Sequence, residues 1–289
     1  MKKTLLFLLL SLFTTVILFG CAGDDSESGL AGDGDVEDTN AGETGGASGT
    51  ITMAGSTSVQ PLSEELAAAF MEQNPDARLE VSGGGSGAGI QAAQEKTADF
   101  GAVSREIADD ETGINTYTIA IDGIAIIVHA DNSVEDLTLD QIKQIFAGEI
   151  TNWSEIGGAD EEIVVVSRED GSGTRGAFTD IVLGDIELIQ SALIQNSTGA
   201  VKESVSNEVN AIGYVSLGGL DDDVKGLKVD GTDPTAENIT SGDYPVARPF
   251  NYVANEDEDL SELAQAFLNF VESDEGQAIV EEQGFIPVN

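Results

Sequence analysis

Histidine, cysteine and tryptophan occur once each in this chain, and only 12 of its 289 residues are lysine or arginine. Each scarcity removes a class of function. With Cys21 as the sole cysteine, the exported chain has no internal disulfide. Thiol and zinc–thiolate chemistry are likewise excluded from the folded region. His129, the sole histidine, lies inside an apolar run and reads as a packed or edge residue rather than a catalytic base. No Gly-Lys pair of a P-loop is present, and the nucleophile pattern G-x-S-x-G fails because Gly84-Gly85-Ser86-Gly87 is followed by Ala88. Against the few cations stand 53 Asp and Glu, a formal net charge of −41. No basic patch is visible, so nucleic acid is excluded as a partner. Self-repulsion of this size is relieved by salt screening, which suggests a cell surface in saline or alkaline surroundings. Carboxylates are so numerous that a pair such as Glu169-Asp170 carries little weight by itself.

Residues 1–20 read as a secretory signal: Lys2 and Lys3 form a basic start, and Leu5 to Leu18 is nearly all apolar. The run is short for a membrane span. Leu18-Phe19-Gly20-Cys21 resembles the lipobox of bacterial lipoproteins, with Cys21 as the lipidated first residue, although Phe19 departs from the small or β-branched residue usual there. Residues 21–49 then form a flexible acidic tether. They hold only Leu30 and Val36 as larger apolar residues and have no lysine or arginine, too little apolar surface to offset chain entropy. Their acids match no EF-hand spacing, so no metal is expected.

From residue 50 the hydrophobic pattern alternates between strand and helix, which predicts an α/β fold. Strands are expected at 51–54, 77–81, 99–103, 163–166 and 210–217. Helices are expected at 61–73, 90–96, 139–146, 185–194, 260–272 and 276–283. Thr118 to Ala130 is an apolar run, broken by Asp122-Gly123, that is too long for one ordinary strand and too β-branched for a helix, so it reads as a strand passing between two lobes. The extended segment 244–253 is a candidate return crossing, because its two prolines forbid a helix interior. This predicts one lobe from 50–125 plus 245–289, a second from 126–244, and a two-strand hinge.

Three small-residue turns follow strands and open helices, and a further strand ends in Ser104-Arg105. The most informative is Val166-Ser-Arg-Glu-Asp-Gly-Ser-Gly-Thr-Arg175, where Ser172, Gly173 and Thr174 open a helix. Backbone N–H groups at a helix start have no partner within the helix, and such a turn suits an anion. Arg168 and Arg175 flank it, two of only five arginines. The guanidinium of Arg168 is placed to take two oxygens of one oxyanion. Ser56, Thr57 and Ser58 precede the first helix, where simple N-capping is the competing reading for any one turn. Ser86 and Gly87 lie in a glycine run that only loosely matches a dinucleotide fingerprint. Ser104 and Arg105 end the third strand, with Arg105 either binding the anion or bracing the cleft.

These strings resemble the phosphate-binding subunit of the bacterial phosphate ABC importer, in its cell-anchored form. The resemblance rests on Ala-Gly-Ser-Thr-Ser-Val (54–59), Gly-Gly-Gly-Ser-Gly-Ala-Gly-Ile (83–90) and Ala-Asp-Phe-Gly-Ala-Val-Ser-Arg-Glu (98–106). It continues through Ile-Phe-Ala-Gly-Glu-Ile-Thr-Asn-Trp (145–153), the 166–175 string, Ala-Ile-Gly-Tyr-Val (211–215) and Gly-Phe-Ile-Pro-Val (284–288), and covers residues 50–289. It implies a two-lobed type II periplasmic-binding-protein fold and a receptor without enzymatic activity or cofactor. It also implies inorganic phosphate as ligand, the permease and ATPase subunits of an ABC importer as partners, and a lipid anchor in the cell membrane. By motif, Thr57, Ser58, Ser86, Gly87, Arg168, Ser172, Gly173 and Thr174 would hold phosphate. Where soluble members carry an Asp that accepts the proton of hydrogen phosphate, this chain has Ser104. The basis of selection against sulfate is therefore open, and tungstate, molybdate or sulfate stay as alternative ligands. A surface phosphatase, or a sensory or adhesion protein on the same fold, stands as an alternative role.

Overall fold

The computed structural model describes residues 48–289. The signal-peptide and Cys21 readings, and the tether but for its last two residues, lie outside them; the first strand already begins at Gly49. The amino-terminal half runs β1 (Gly49–Gly55), α1 (Gln60–Gln73), β2 (Ala77–Gly83), α2 (Ser86–Gln94), β3 (Phe100–Val103) and the long β4 (Ile114–His129). It continues through β5 (Asp136–Leu137), α3 (Leu139–Ala147), β6 (Val164–Arg168), α4 (Gly173–Phe178), β7 (Leu193–Gln195), α5 (Thr198–Asn207) and β8 (Ala211–Ser216). β9 (Val224–Gly226), β10 (Lys228–Val229), α6 (Ala236–Thr240), β11 (Ala247–Asn255), α7 (Glu262–Val271) and α8 (Asp274–Glu282) complete it.

One mixed sheet runs in the order β2-β1-β3-β11-β4-β8-β6-β7. β1 pairs in parallel with β2 and β3, and β6 with β7 and β8, while β4 and β11 are antiparallel to each other. Two cores result. The first gathers Leu62, Leu66 and Phe70 of α1 with Leu263, Phe267 and Val271 of α7 around β1, β3 and β11. The four-residue spacing of each triplet gives each helix one buried face. Phe70 meets Phe267 edge-on at 5.4 Å. The second core joins Ile124, Ile126 and Val128 of β4 to Ile142, Ile145 and Phe146 of α3 and to Phe178 and Tyr214, whose rings stack at 4.2 Å.

β4 explains its own length. Residues 114–123 pair with β11 in the first half of the sheet, and from Ile124 the strand pairs with β8 and β9. It runs unbroken through the polar break at Asp122-Gly123. His129 ends it half-buried, and its Nδ1 accepts from the Asp131 N–H at 3.0 Å.

Two expected helices need correction. α2 starts at Ser86 rather than Ile90, because Gly85 adopts φ +90° and turns the chain at once into the helix. Residues 185–194 are not helical. α4 continues into a π-helical turn (Thr179–Leu183), which Gly184 ends at φ +62°, ψ −127°. The chain beyond lies against the second core, with the Ile189 N–H bonded to the Phe146 carbonyl at 2.8 Å. Leu188, Ile189 and Ala192 are partly buried there, while Ile186, Leu193 and Ile194 are exposed. α5 was not expected. Only Val201 and Val205 are buried on it, and glycine and β-branched residues weaken its helical signal.

Candidate functional site

Parallel strands present their carboxyl ends on one side, and loops there form the ligand crevice of open α/β sheets. In this chain β1, β2, β3 and β6 all deliver their small-residue turns to one place. Gly55 begins the first turn at φ +140°, and a side chain there would stand 2.3 Å from the Ala102 carbonyl. The Ser56 N–H bonds that same carbonyl at 2.8 Å, which locks the β1 turn onto the end of β3.

Ser56, Ser58, Ser86 and Ser104 are all buried. Ser56 Oγ donates to Ser104 Oγ at 2.8 Å and accepts from the N–H groups of Ser58 and Val59. Ser86 Oγ accepts from the Ser104 N–H at 3.1 Å and lies 3.3 Å from Ser104 Oγ. Hydroxyls turn freely and can donate or accept, so these groups can redirect protons toward an anion.

The β6–α4 turn meets this cluster from the second core. Thr174 Oγ1 lies 2.8 Å from Ser58 Oγ. The Gly87 N–H bonds the Gly171 carbonyl at 3.1 Å. A Cβ on Gly173 would stand 2.2 Å from Ser86 Oγ and 2.7 Å from Ser104 Oγ, so only glycine allows this approach. Ser172 caps α4, its Oγ accepting from the Arg175 N–H at 3.2 Å, and its own proton stays available to donate.

Arg168 is 2% exposed. Its Nε and Nη2 donate to the two oxygens of Glu169 at 3.0 and 2.9 Å, and Nη1 reaches Thr198 Oγ1 at 3.3 Å. The Tyr214 hydroxyl accepts from the Arg168 N–H at 3.4 Å, and burial pushes that phenol above its ordinary pKa. Arg175 donates to the Arg168 carbonyl at 3.0 Å and pairs with Asp170, so it buttresses the turn.

The structure thus gathers Ser56, Thr57, Ser58, Ser86, Gly87, Ser104, Arg168, Ser172, Gly173 and Thr174. Arg105 is the one that it does not. Its guanidinium makes two 2.6 Å bonds to Glu111 and one to the Glu106 carbonyl, and its stem lies against Gly176. The bond to Glu111 raises the pKa of Arg105, and the same bond holds the Glu111 carboxyl below the ordinary range. Of the two roles expected for Arg105, bracing fits this geometry.

Two features escaped the sequence reading. Thr198 on α5 joins both halves of the site. Asp122 and Arg248 form a fully buried pair beneath it: Arg248 Nε and Nη2 donate to Asp122 Oδ2 at 3.0 and 2.9 Å, and Nη1 donates to the Ser104 carbonyl at 2.9 Å. Burial raises the Asp122 carboxyl, opposed by Arg248 and by donation from Ser216 and Leu217. The polar interruption at Asp122 was visible in the sequence, but its partner lies 126 residues away. Among the described residues no group of three or more His, Cys, Asp or Glu side chains is placed to hold a metal ion. No buried side-chain nitrogen or oxygen there is left without a partner.

Comparison with known proteins places the whole chain in a family. Residues 40–275 match the family model of the PBP superfamily domain. The chain belongs to this superfamily, in its PstS-type branch. It is 36% identical over 296 residues to the phosphate-binding protein PstS of Bacillus subtilis, spanning all of this chain and 95% of that one. A substrate-binding protein from Clostridium perfringens, solved with bound phosphate, is 45% identical with a TM-score of 0.81, covering 83% of this chain and all of the other. An ABC-type phosphate transport receptor from Vibrio cholerae is 35% identical, with a TM-score of 0.68 over 82% of this chain and 99% of that one. The two-lobed periplasmic-binding-protein fold is thereby established.

Proposed function

We propose that this chain is an extracytoplasmic receptor that binds inorganic phosphate between its two lobes and hands it to the permease of an ABC importer. One observation carries the reading: four strand-end turns aim buried hydroxyls and the Arg168 guanidinium at one point, across two cores. The relatives' phosphate ligand agrees with it. Glu169 neutralises Arg168 and Asp122 neutralises Arg248, so the anion is held by directed hydrogen bonds rather than by surplus positive charge. Closing the lobes removes water and strengthens each of those bonds in a lower dielectric. The lobe boundaries expected at 125/126 and 244/245 lie within two residues of the limits of the second core. The first core draws on residues 51–120 and 250–285 and the second on 124–246, with β4 and β11 crossing between them. That arrangement supports a hinge in the two strands.

Calorimetric titration of the purified chain in high salt, with phosphate, sulfate and tungstate in parallel, tests the reading. One-to-one phosphate binding that excess sulfate leaves unchanged is the expected result. Tighter binding of sulfate or tungstate, or none by a folded sample, would sink it. Gly173→Ala is expected to weaken phosphate binding at least about tenfold, because the new methyl must displace the Ser86 and Ser104 hydroxyls. Affinity equal to the parent would show that these groups do not form the cage.

The lipid anchor belongs to the same proposal. Cys21 is acylated and holds the receptor at the cell membrane, and the acidic surface suits a saline milieu. Labelled palmitate should enter the chain and be lost in Cys21→Ser. The net charge of −41 opposes an approaching anion, so the phosphate association rate should rise with ionic strength. Stopped-flow rates that fall steeply as salt is added would contradict this.

A further inference from the structure

The first residue of α5 takes part in the site although no motif marks it. We infer that Thr198 is a further ligand-binding residue, donating its hydroxyl to the bound anion from the α5 side; this rests on the phosphate-receptor reading above. Thr198 Oγ1 lies 2.8 Å from Ser58 Oγ, 3.4 Å from Thr57 Oγ1 and 3.3 Å from Arg168 Nη1. These three groups come from both halves of the molecule and are aimed at one anion. An oxygen within reach of all three stands in the anion's immediate surroundings.

Helix capping does not occupy this hydroxyl. Capping of α5 falls to Ser197, whose Oγ accepts from the Ala200 N–H at 3.1 Å. The Thr198 N–H, which the helix does not need in its first turn, donates to Thr57 Oγ1 at 3.2 Å. That bond fills an acceptor position on Thr57 and leaves the Thr57 proton to be given to the ligand. Arg168 Nη1 in turn donates to Thr198 Oγ1, so the Thr198 proton points away from Arg168; in the 2.8 Å contact with Ser58 Oγ either hydroxyl can donate, so rotation can redirect this proton to the ligand. The methyl group fixes the orientation: a Cβ on Gly219 would stand 3.1 Å from Thr198 Cγ2, so the methyl packs beside that glycine and the hydroxyl faces the cage.

The test is phosphate titration of the parent chain and of Thr198→Val, Thr198→Ser and Thr198→Ala, with dissociation rates and phosphate-free thermal unfolding. Valine keeps the shape and removes the hydroxyl. Serine and alanine both lose the methyl and differ only in the hydroxyl, so this pair decides the matter even if valine misfolds. The expected result is binding weaker by about tenfold or more in Thr198→Val and in Thr198→Ala relative to Thr198→Ser, since a hydrogen bond to a charged group is lost. Faster dissociation should account for the loss, with phosphate-free melting temperatures unchanged. If the parent binds phosphate and the hydroxyl-free variants bind as tightly or more tightly, the inference is wrong while the receptor reading stands. If the folded parent binds no phosphate, both are overturned.

Discussion

Arg168→Ala is expected to reduce phosphate affinity by at least about a hundredfold in calorimetry while the protein stays folded. A hydrogen bond to a charged group is worth about 1.5–3 kcal/mol, and the loss grows when a charged partner is left behind. Here that partner is Glu169, which loses two bonds of 2.9 and 3.0 Å. A carboxylate without its partner beside the cage also repels the incoming anion. The loss should therefore exceed that of the direct contact, and the double variant Arg168→Ala with Glu169→Gln should recover part of it. Arg168→Lys should stay impaired, since an ammonium cannot serve Glu169 and the ligand through one planar fork. Wild-type affinity in Arg168→Ala would remove the guanidinium from the binding account. A double variant no better than the single one would show that Glu169 exerts no repulsion.

The cage was legible in the sequence because its chemistry is local. Each turn combines glycine, a short hydroxyl side chain and a helix start within a few residues, and the strand before it is a short apolar run. Arg168 stood out because cations are so rare in this chain. What the sequence hid depends on distance. Arg105 looked equivalent to Arg168, and only the fold shows it held by Glu111. Thr198 sits in a segment whose helix buries just two valines, and its partners are 30 to 141 residues away. The segment 185–194 misled because burial of Leu188 and Ile189 comes from contact with the second core and not from a helical face. Register told the same story in β4. The polar break at Asp122 marks the point where the strand changes partners, a tertiary event that no local pattern encodes.

That point of exchange should also be where the fold is most easily damaged. Asp122 and Arg248 face each other in the register of β4 and β11, and both are buried, at 0% and 3% exposure. The pair binds four segments together. Arg248 holds the Ser104 carbonyl at the end of β3, and Asp122 Oδ1 accepts from Ser216 Oγ and the Leu217 N–H, each at 3.0 Å, at the end of β8. Arg248 also lies 5.3 Å from the centre of the Phe250 ring. Arg248→Met leaves the Asp122 carboxyl buried without its partner, to be protonated or held ionised at a cost, and breaking such a pair costs about 3–5 kcal/mol. For a chain of this size that corresponds to a fall in melting temperature of about 10 °C. The double variant Asp122→Leu with Arg248→Met removes both charges and should regain much of the loss, because well-packed apolar residues commonly replace a buried pair at little cost. Phosphate binding separates the two roles of the pair. If it only holds the strands together, affinity should return with stability in the double variant. The Arg248 bond to Ser104 predicts otherwise: a stable double variant should still bind more weakly, because the Ser104 carbonyl has lost its donor and the hydroxyl linked to Ser56 and Ser86 is no longer fixed. Full affinity in that variant would confine Asp122 and Arg248 to the scaffold.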